Sequence, residues 1–176
     1  MDIIVLIPAY NEENSIGKVL ADIPKDLVRE VVVINNNSND ATELNAKNGG
    51  ATVLRENKQG YGFACLKGMD YVRNLPKAPD IVVFMDADYS DYPEEISKLI
   101  APIVEDKFDM VIGSRALGNR ARGSMTPQQI FGNWLATFLI KIFYGFTYTD
   151  LGPFRAIKWQ KLLDLNMQDT TYGWTV

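Results

Sequence analysis

The chain has 176 residues, 47% of them hydrophobic, with a formal net charge of −4 and a pI near 4.9. That is enough apolar sequence for one domain whose core needs no staples, and the acidic balance excludes a nucleic-acid binder built on a basic face. With no histidine and a single cysteine, Cys65, the Ser/His/Asp and Cys/His nucleophile schemes, histidine metal sites and a disulfide framework all fall away.

Residues 3–7 are a short apolar run that Pro8 ends by removing a ladder donor, which predicts a first strand. The chain enters it without the basic region and cleavage site of a signal peptide, so the cytoplasm is the expected compartment. Asn11 is the expected cap of a helix whose buried stripe is Ile16, Val19, Leu20 and Ile23, closed by Pro24. Residues 31–34 predict a second buried strand running into the polar turn 35–40. A helix follows from Ala41 and Thr42 and stops at Gly49 and Gly50. Residues 51–54 are a short third strand. The helix after it buries Cys65, Leu66, Met69 and Val72, and the loop between carries Asn57, Gly60 and Gly62.

Residues 81–85 are apolar and rich in β-branched types, the pattern of a strand buried on both faces in a parallel sheet. Asp86 and Asp88 follow at once. A spacing of two in extended backbone points both to one side, at the carboxyl end of a strand, where open α/β sheets bind ligands. Carboxylates about 5 Å apart repel by roughly 3 kcal/mol at an effective dielectric near 20, and a hard divalent cation that draws its other ligands from substrate phosphates relieves this. The local spacing equally fits two solvated loop aspartates, one of them capping the next helix.

That helix starts at Pro93 with the stripe Ile96, Leu99, Ile100, Ile103 and Val104, and Pro102 should kink it or end it early. Residues 110–112 form another strand. The loop 116–125 is basic, with Arg120 and Arg122. Residues 128–148 are strongly apolar, but Asn133, Lys141, Gly132 and Gly145 keep them short of a transmembrane span. They read as a core helix, or as a helix resting partly on a bilayer. Residues 158–165 are helical by pattern. The apolar end at residues 172–176 reads as an interrupted chain lacking C-terminal elements. The alternation predicts one layered α/β domain over residues 1–176, with a mostly parallel sheet.

Ile7-Pro8-Ala9-Tyr10-Asn11-Glu12, the turn 35–40, Asp86-Ala87-Asp88, Gly113-Ser114-Arg115 and Thr149-Asp150-Leu151-Gly152-Pro153-Phe154-Arg155 occur in the order seen in family 2 glycosyltransferases. The chain resembles their branch of dolichol-phosphate-mannose and -glucose synthases over nearly its whole length. The resemblance implies a GT-A fold, a Rossmann-like three-layer sandwich that binds a UDP- or GDP-linked sugar with Mn2+ or Mg2+. It further implies transfer with inversion to a polyprenyl phosphate or another acceptor, with peripheral membrane contact.

Carried over residue by residue, Pro8, Ala9, Tyr10 and Glu12 pack on the nucleotide. Tyr10 offers a ring to the base; Glu12 accepts from the nucleoside, and it also suits a helix N-terminus. The family's turn reads Asp-Asp-Gly-Ser-x-Asp, and its leading acid recognises the base. Here Asn35 and Asn36 keep hydrogen-bonding capacity but lose the charge. Asn35, Asn37, Gly60 and Ala87 are counted among the nucleotide-sugar contacts. Asp88 matches the metal-binding acid, and Asp86 the acid near the ribose and the metal-bound diphosphate. Arg115, with Arg120 and Arg122, matches basic positions around substrate phosphates. Asp150 is the candidate base for a hydroxyl acceptor, or alternatively a cap on the turn to Gly152.

Two rivals stand beside this. A sugar nucleotidyltransferase should carry a Gly-rich loop with Arg and Lys after the first strand, where Pro8-Ala9-Tyr10-Asn11 stands instead. A catalytically silent nucleotide-sugar-binding module is favoured by Asn35 and Asn36 and disfavoured by retention of both Asp86 and Asp88.

Overall fold

The computed structural model describes residues 1–114, 127–145, 151–171 and 174. Six strands, β1 (Ile3–Ala9), β2 (Glu30–Asn35), β3 (Thr52–Arg55), β4 (Ile81–Phe84), β5 (Met110–Ile112) and β6 (Arg155–Lys158), form one sheet in the order β3-β2-β1-β4-β6-β5. The β3–β2, β2–β1 and β1–β4 pairs are parallel, and β6 runs antiparallel to both β4 and β5. Among the described residues six α-helices accompany them, the last following β6: α1 (Ile16–Asp22), α2 (Thr42–Asn48), α3 (Tyr61–Arg73), α4 (Ile96–Val104), α5 (Pro127–Tyr144) and α6 (Trp159–Asp164).

Every residue of β1 is buried, because the strand alternates its side chains between two cores. Ile3, Val5, Ile7 and Ala9 pack with Ile16, Val19, Ala46, Ile96 and Leu99, which places α1, α2 and α4 on one face. Ile4 and Leu6 pack with Ala64, Cys65, Met69 and Leu162, which places α3 and α6 on the other. Burial on both sides is why the central strands read as unbroken apolar runs. Cys65 is fully buried, as a core residue. The result is the expected three-layer GT-A arrangement with a mostly parallel sheet.

Pro8 does not end β1; it pairs with Ile34 of β2 within the ladder. On the other side β4 pairs with β1 only as far as Leu6 opposite Phe84, so Pro8 lies beyond the last β1–β4 pair. The two carboxyl ends part at the point where the strand order reverses, which opens a crevice there. Asn11 is not the helix cap. Ser15 precedes α1, and Asn11 adopts a left-handed φ of 56° in the loop before it. Helix α4 ends two residues past Pro102. Helix α5 departs from the expected core helix: Trp134 is 56% exposed and Phe143 73%.

Candidate functional site

The crevice is a cleft of about 340 Å³ lined by Pro8, Ala9, Tyr10 and Glu12 after β1, Asn36 after β2, Gln59, Gly60, Tyr61 and Ala64 at the start of α3, and Asp86, Ala87 and Asp88 after β4. All four parallel strands thus deliver residues to one place, as the carboxyl edge of such a sheet must. Tyr10 is half exposed at the rim, while Pro8, Ala9 and Ala87 are buried in the walls.

The first two loops are laced together. The Glu12 amide donates to the Thr42 hydroxyl at 2.7 Å, and the Asn11 amide to Ser38 Oγ at 3.0 Å. In return the Asn39 amide donates to Asn11 Oδ1 at 3.0 Å, and the Ala41 amide to Glu13 Oε2 at 3.0 Å. Burial alone would raise the Asp40 carboxyl, but hydrogen bonds from the Thr42 hydroxyl and amide and from the Glu13 amide outweigh it and hold the group below its ordinary range. Glu12 keeps one carboxylate oxygen on the Ser15 hydroxyl at 2.6 Å, which fixes the side chain at the cleft.

The asparagine turn works differently from the expectation. Asn36, not Asn35 or Asn37, lines the cleft. Its side chain is nearly spent on the loop opposite: Oδ1 accepts from the Gly60 amide at 2.8 Å, and Nδ2 donates to the carbonyls of Lys58 at 2.6 Å and Glu56 at 3.3 Å. Only a neutral amide can serve one donor and two acceptors in this way. Asn35 is buried; its Nδ2 donates to Glu43 and its Oδ1 accepts from the Ser38 amide. The Lys47 ammonium and then the Asn35 amide hold the Glu43 carboxyl low. Asn37 stands exposed at φ 63°, a left-handed position that Gly fills in the family turn and Asn tolerates.

The first acid, Asp86, lies two residues past the end of β4, so both acids sit on the loop and not on extended strand. The Met85 amide still donates to the Leu6 carbonyl at 3.2 Å. The Asp86 amide donates to Oδ2 of the buried Asp91 at 3.2 Å, and the Ser90 amide to Asp88 Oδ1 at 2.9 Å. Among the described residues no group of three or more His, Cys, Asp or Glu side chains is gathered as a metal cage. Two aspartates lining one cleft nevertheless fit a hard divalent ion that takes its remaining ligands from a diphosphate and water.

A profile of the Glycosyl transferase family 2 matches residues 4–164. The chain belongs to that family. It is 32% identical over 176 residues to the dolichyl-phosphate hexose transferase of Haloferax volcanii, covering 97% of this chain and 72% of that protein. It is 33% identical over 152 residues to a low-salt glycan biosynthesis hexosyltransferase of the same organism, covering 83% of this chain and 35% of the relative. Among solved structures it resembles glucosyl-3-phosphoglycerate synthase of Mycobacterium tuberculosis in complex with Mn2+, UDP-glucose and phosphoglyceric acid. That match has a TM-score of 0.70 and 25% identity, and it covers 90% of this chain and 57% of that one. This family 2 chain therefore spans between about a third and three quarters of the length of these relatives.

Of the residues singled out from sequence, Pro8, Ala9, Tyr10, Glu12, Gly60, Asp86, Ala87 and Asp88 line the cleft, and Asn35 and Asn37 do not. Arg115, Arg120, Arg122 and Asp150 lie outside the described residues. Sequence reasoning placed Asn36 in the base-recognition turn without counting it among the nucleotide-sugar contacts, and it missed Gln59, Tyr61 and Ala64. The pattern Gly60-Tyr61-Gly62 at a helix start was the available signal for the last group.

Proposed function

We propose that this chain carries the donor site of an inverting, metal-assisted glycosyltransferase that uses a nucleotide-diphosphate sugar. The observation that carries the reading is that one cleft gathers Tyr10 and Glu12 from the first parallel strand and both Asp86 and Asp88 from the fourth. Tyr10 stacks on the base and Glu12 accepts from the nucleoside. Asp86 lies toward the ribose, and Asp88, with Asp86 beside it, holds Mn2+ or Mg2+. The metal would neutralise the departing diphosphate as a Lewis acid. In one displacement the acceptor oxygen bonds to the anomeric carbon as that carbon's bond to the diphosphate oxygen breaks.

The acceptor in this reading is a lipid phosphate, in keeping with the names of relatives that act on dolichyl phosphate. A phosphate oxygen is already ionised at neutral pH and needs no base; a hydroxyl acceptor would call on Asp150. Arg115, Arg120 and Arg122 are assigned to substrate phosphates. Helix α5 is the proposed bilayer contact: Phe138, Leu139, Ile142 and Phe143 are exposed, and Trp134 stacks on Phe138 at 5.5 Å between ring centroids. No helix among the described residues is long and apolar enough to cross a membrane. Peripheral attachment at the cytoplasmic face, with Cys65 as a free buried thiol, completes the reading.

A silent nucleotide-sugar-binding module is the second reading, favoured by the commitment of the Asn36 amide to the loop it braces. Incubation with Mn2+ and labelled UDP- or GDP-hexose, with and without polyprenyl phosphate in detergent, separates the two. Metal-dependent release of sugar or formation of lipid-linked sugar is expected. Nucleotide binding with neither product would favour the silent module.

A further inference from the structure

The wall of the cleft at Gln59, Gly60 and Tyr61 has a second surface, and residues 169–171 lie on it. The Gly62 amide donates to the Thr171 carbonyl at 2.9 Å. A methyl group on Gly62 would stand 2.5 Å from the Thr170 carbonyl carbon and 2.7 Å from its Cα, and one on Gly60 would stand 2.7 Å from the Thr170 oxygen. Backbone cannot yield to such contacts as a flexible side chain can. Both glycines are therefore required by the close passage of residues 169–171, in addition to the φ of +145° at Gly60.

Arg155 pins this strap. It is the first residue of β6, opposite Phe84 at the end of β4, and its side chain is buried. Its Nε donates to the Pro153 carbonyl at 3.1 Å and its Nη1 to the Trp174 carbonyl, while Nη2 is buried with no hydrogen-bond partner. Trp174 packs on Phe84 at 5.8 Å between ring centroids and donates Nε1 to the Asp169 carbonyl at 2.6 Å. A buried guanidinium with an unsatisfied nitrogen is costly, and an aliphatic side chain would fill the space without that cost. What the aliphatic side chain could not do is hold the two carbonyls and so fix the strap against the wall.

We infer that residues 169–171 and Trp174 set the position of the Gln59–Tyr61 wall of the donor cleft, which makes Gly62 and Arg155 positioning residues for nucleotide-sugar binding. The inference rests on the reading of the cleft as a nucleotide-sugar site. Because coupling between sites is reciprocal, a bound nucleotide tightens the strap by the same factor that the docked strap tightens the nucleotide.

The test titrates UDP and GDP, each with Mn2+, into the whole chain and into Gly62→Ala, Arg155→Met, Arg155→Lys and Leu162→Ala variants. Amide exchange at Gly62 reads the strap in parallel. Leu162 is buried in the same apolar cluster as Trp174 but does not line the cleft, so it serves as the stability control. Gly62→Ala and Arg155→Met should weaken nucleotide binding tenfold or more and speed exchange of the residue-62 amide, with unchanged circular dichroism. Arg155→Lys should restore most of the affinity, and bound nucleotide should slow Gly62 exchange in the wild type. Leu162→Ala should lower the melting temperature and leave affinity alone. Free straps with wild-type affinity, or an equal loss in Leu162→Ala, would overturn the inference while leaving the donor site standing. A folded wild-type chain that binds neither nucleotide would remove the donor site and the inference together.

Discussion

The two sides of the sheet are built on different plans. On the β3-β2-β1-β4 side the strands are parallel, their loops converge, and the residues of the cleft are tied by hydrogen bonds from one loop to the next. Beyond β4 the strands β6 and β5 run antiparallel, and the helix between them in sequence, α5, turns Trp134, Phe138, Ile142 and Phe143 to solvent. The first plan makes a site that is formed before its ligand arrives, which limits the ordering cost of binding. The second leaves an apolar face of the kind that marks a contact with something else. In the proposed function these are the donor and acceptor sides of one reaction.

Removing the acid at the cleft tests the donor side most severely. Asp88→Asn should reduce metal-dependent nucleotide affinity on the order of 100-fold, since loss of even an outer partner of a metal costs 10–100-fold; calorimetry checks this, and melting should barely change because Asp88 is exposed. Next comes the brace. Asn36→Asp would set a carboxylate against the carbonyls of Glu56 and Lys58 and should cost about 2–3 kcal/mol of stability by denaturant unfolding, with weaker nucleotide binding.

On the other side, Phe143→Ser should weaken binding to anionic lipid vesicles about tenfold, as expected for losing part of one aromatic anchor, and leave nucleotide affinity unchanged. A parallel loss of both would erase the division between the two sides. The smallest effect is acidic. The folded Asp40 carboxyl lies below its ordinary value of 3.8, so its contribution to stability is fully present above that pH and is lost as pH falls through the folded value. Asp40→Asn should flatten the melting temperature against pH below about 4 and leave it unaltered in shape near neutrality.

Much of the donor side was legible because its chemistry follows directly on strands that announce themselves. The unbroken apolar runs 3–7 and 81–84 are the centre of the sheet, and the residues immediately after them line the cleft. The asparagine turn was harder to read. Neighbouring side chains at a strand end diverge, and composition alone does not say that Asn36 faces the cleft while Asn35 binds Glu43. Gln59 and Tyr61 carried no charge to mark them. Arg155 stood within a recognised motif, but its partner Trp174 lies 19 residues away, a pairing set by tertiary packing. Helix α5 misled for a simpler reason: an apolar stretch states that a surface must be covered and does not state by what.

The most direct measurement is calorimetric titration of the chain with UDP, GDP and their glucose and mannose conjugates, with and without Mn2+, beside Asp88→Asn. Metal-dependent binding of one nucleotide that the variant loses is the predicted result, and it would also name the base. Equal binding with and without metal, or by both proteins alike, would contradict a cleft in which Asp86 and Asp88 share a cation with the diphosphate.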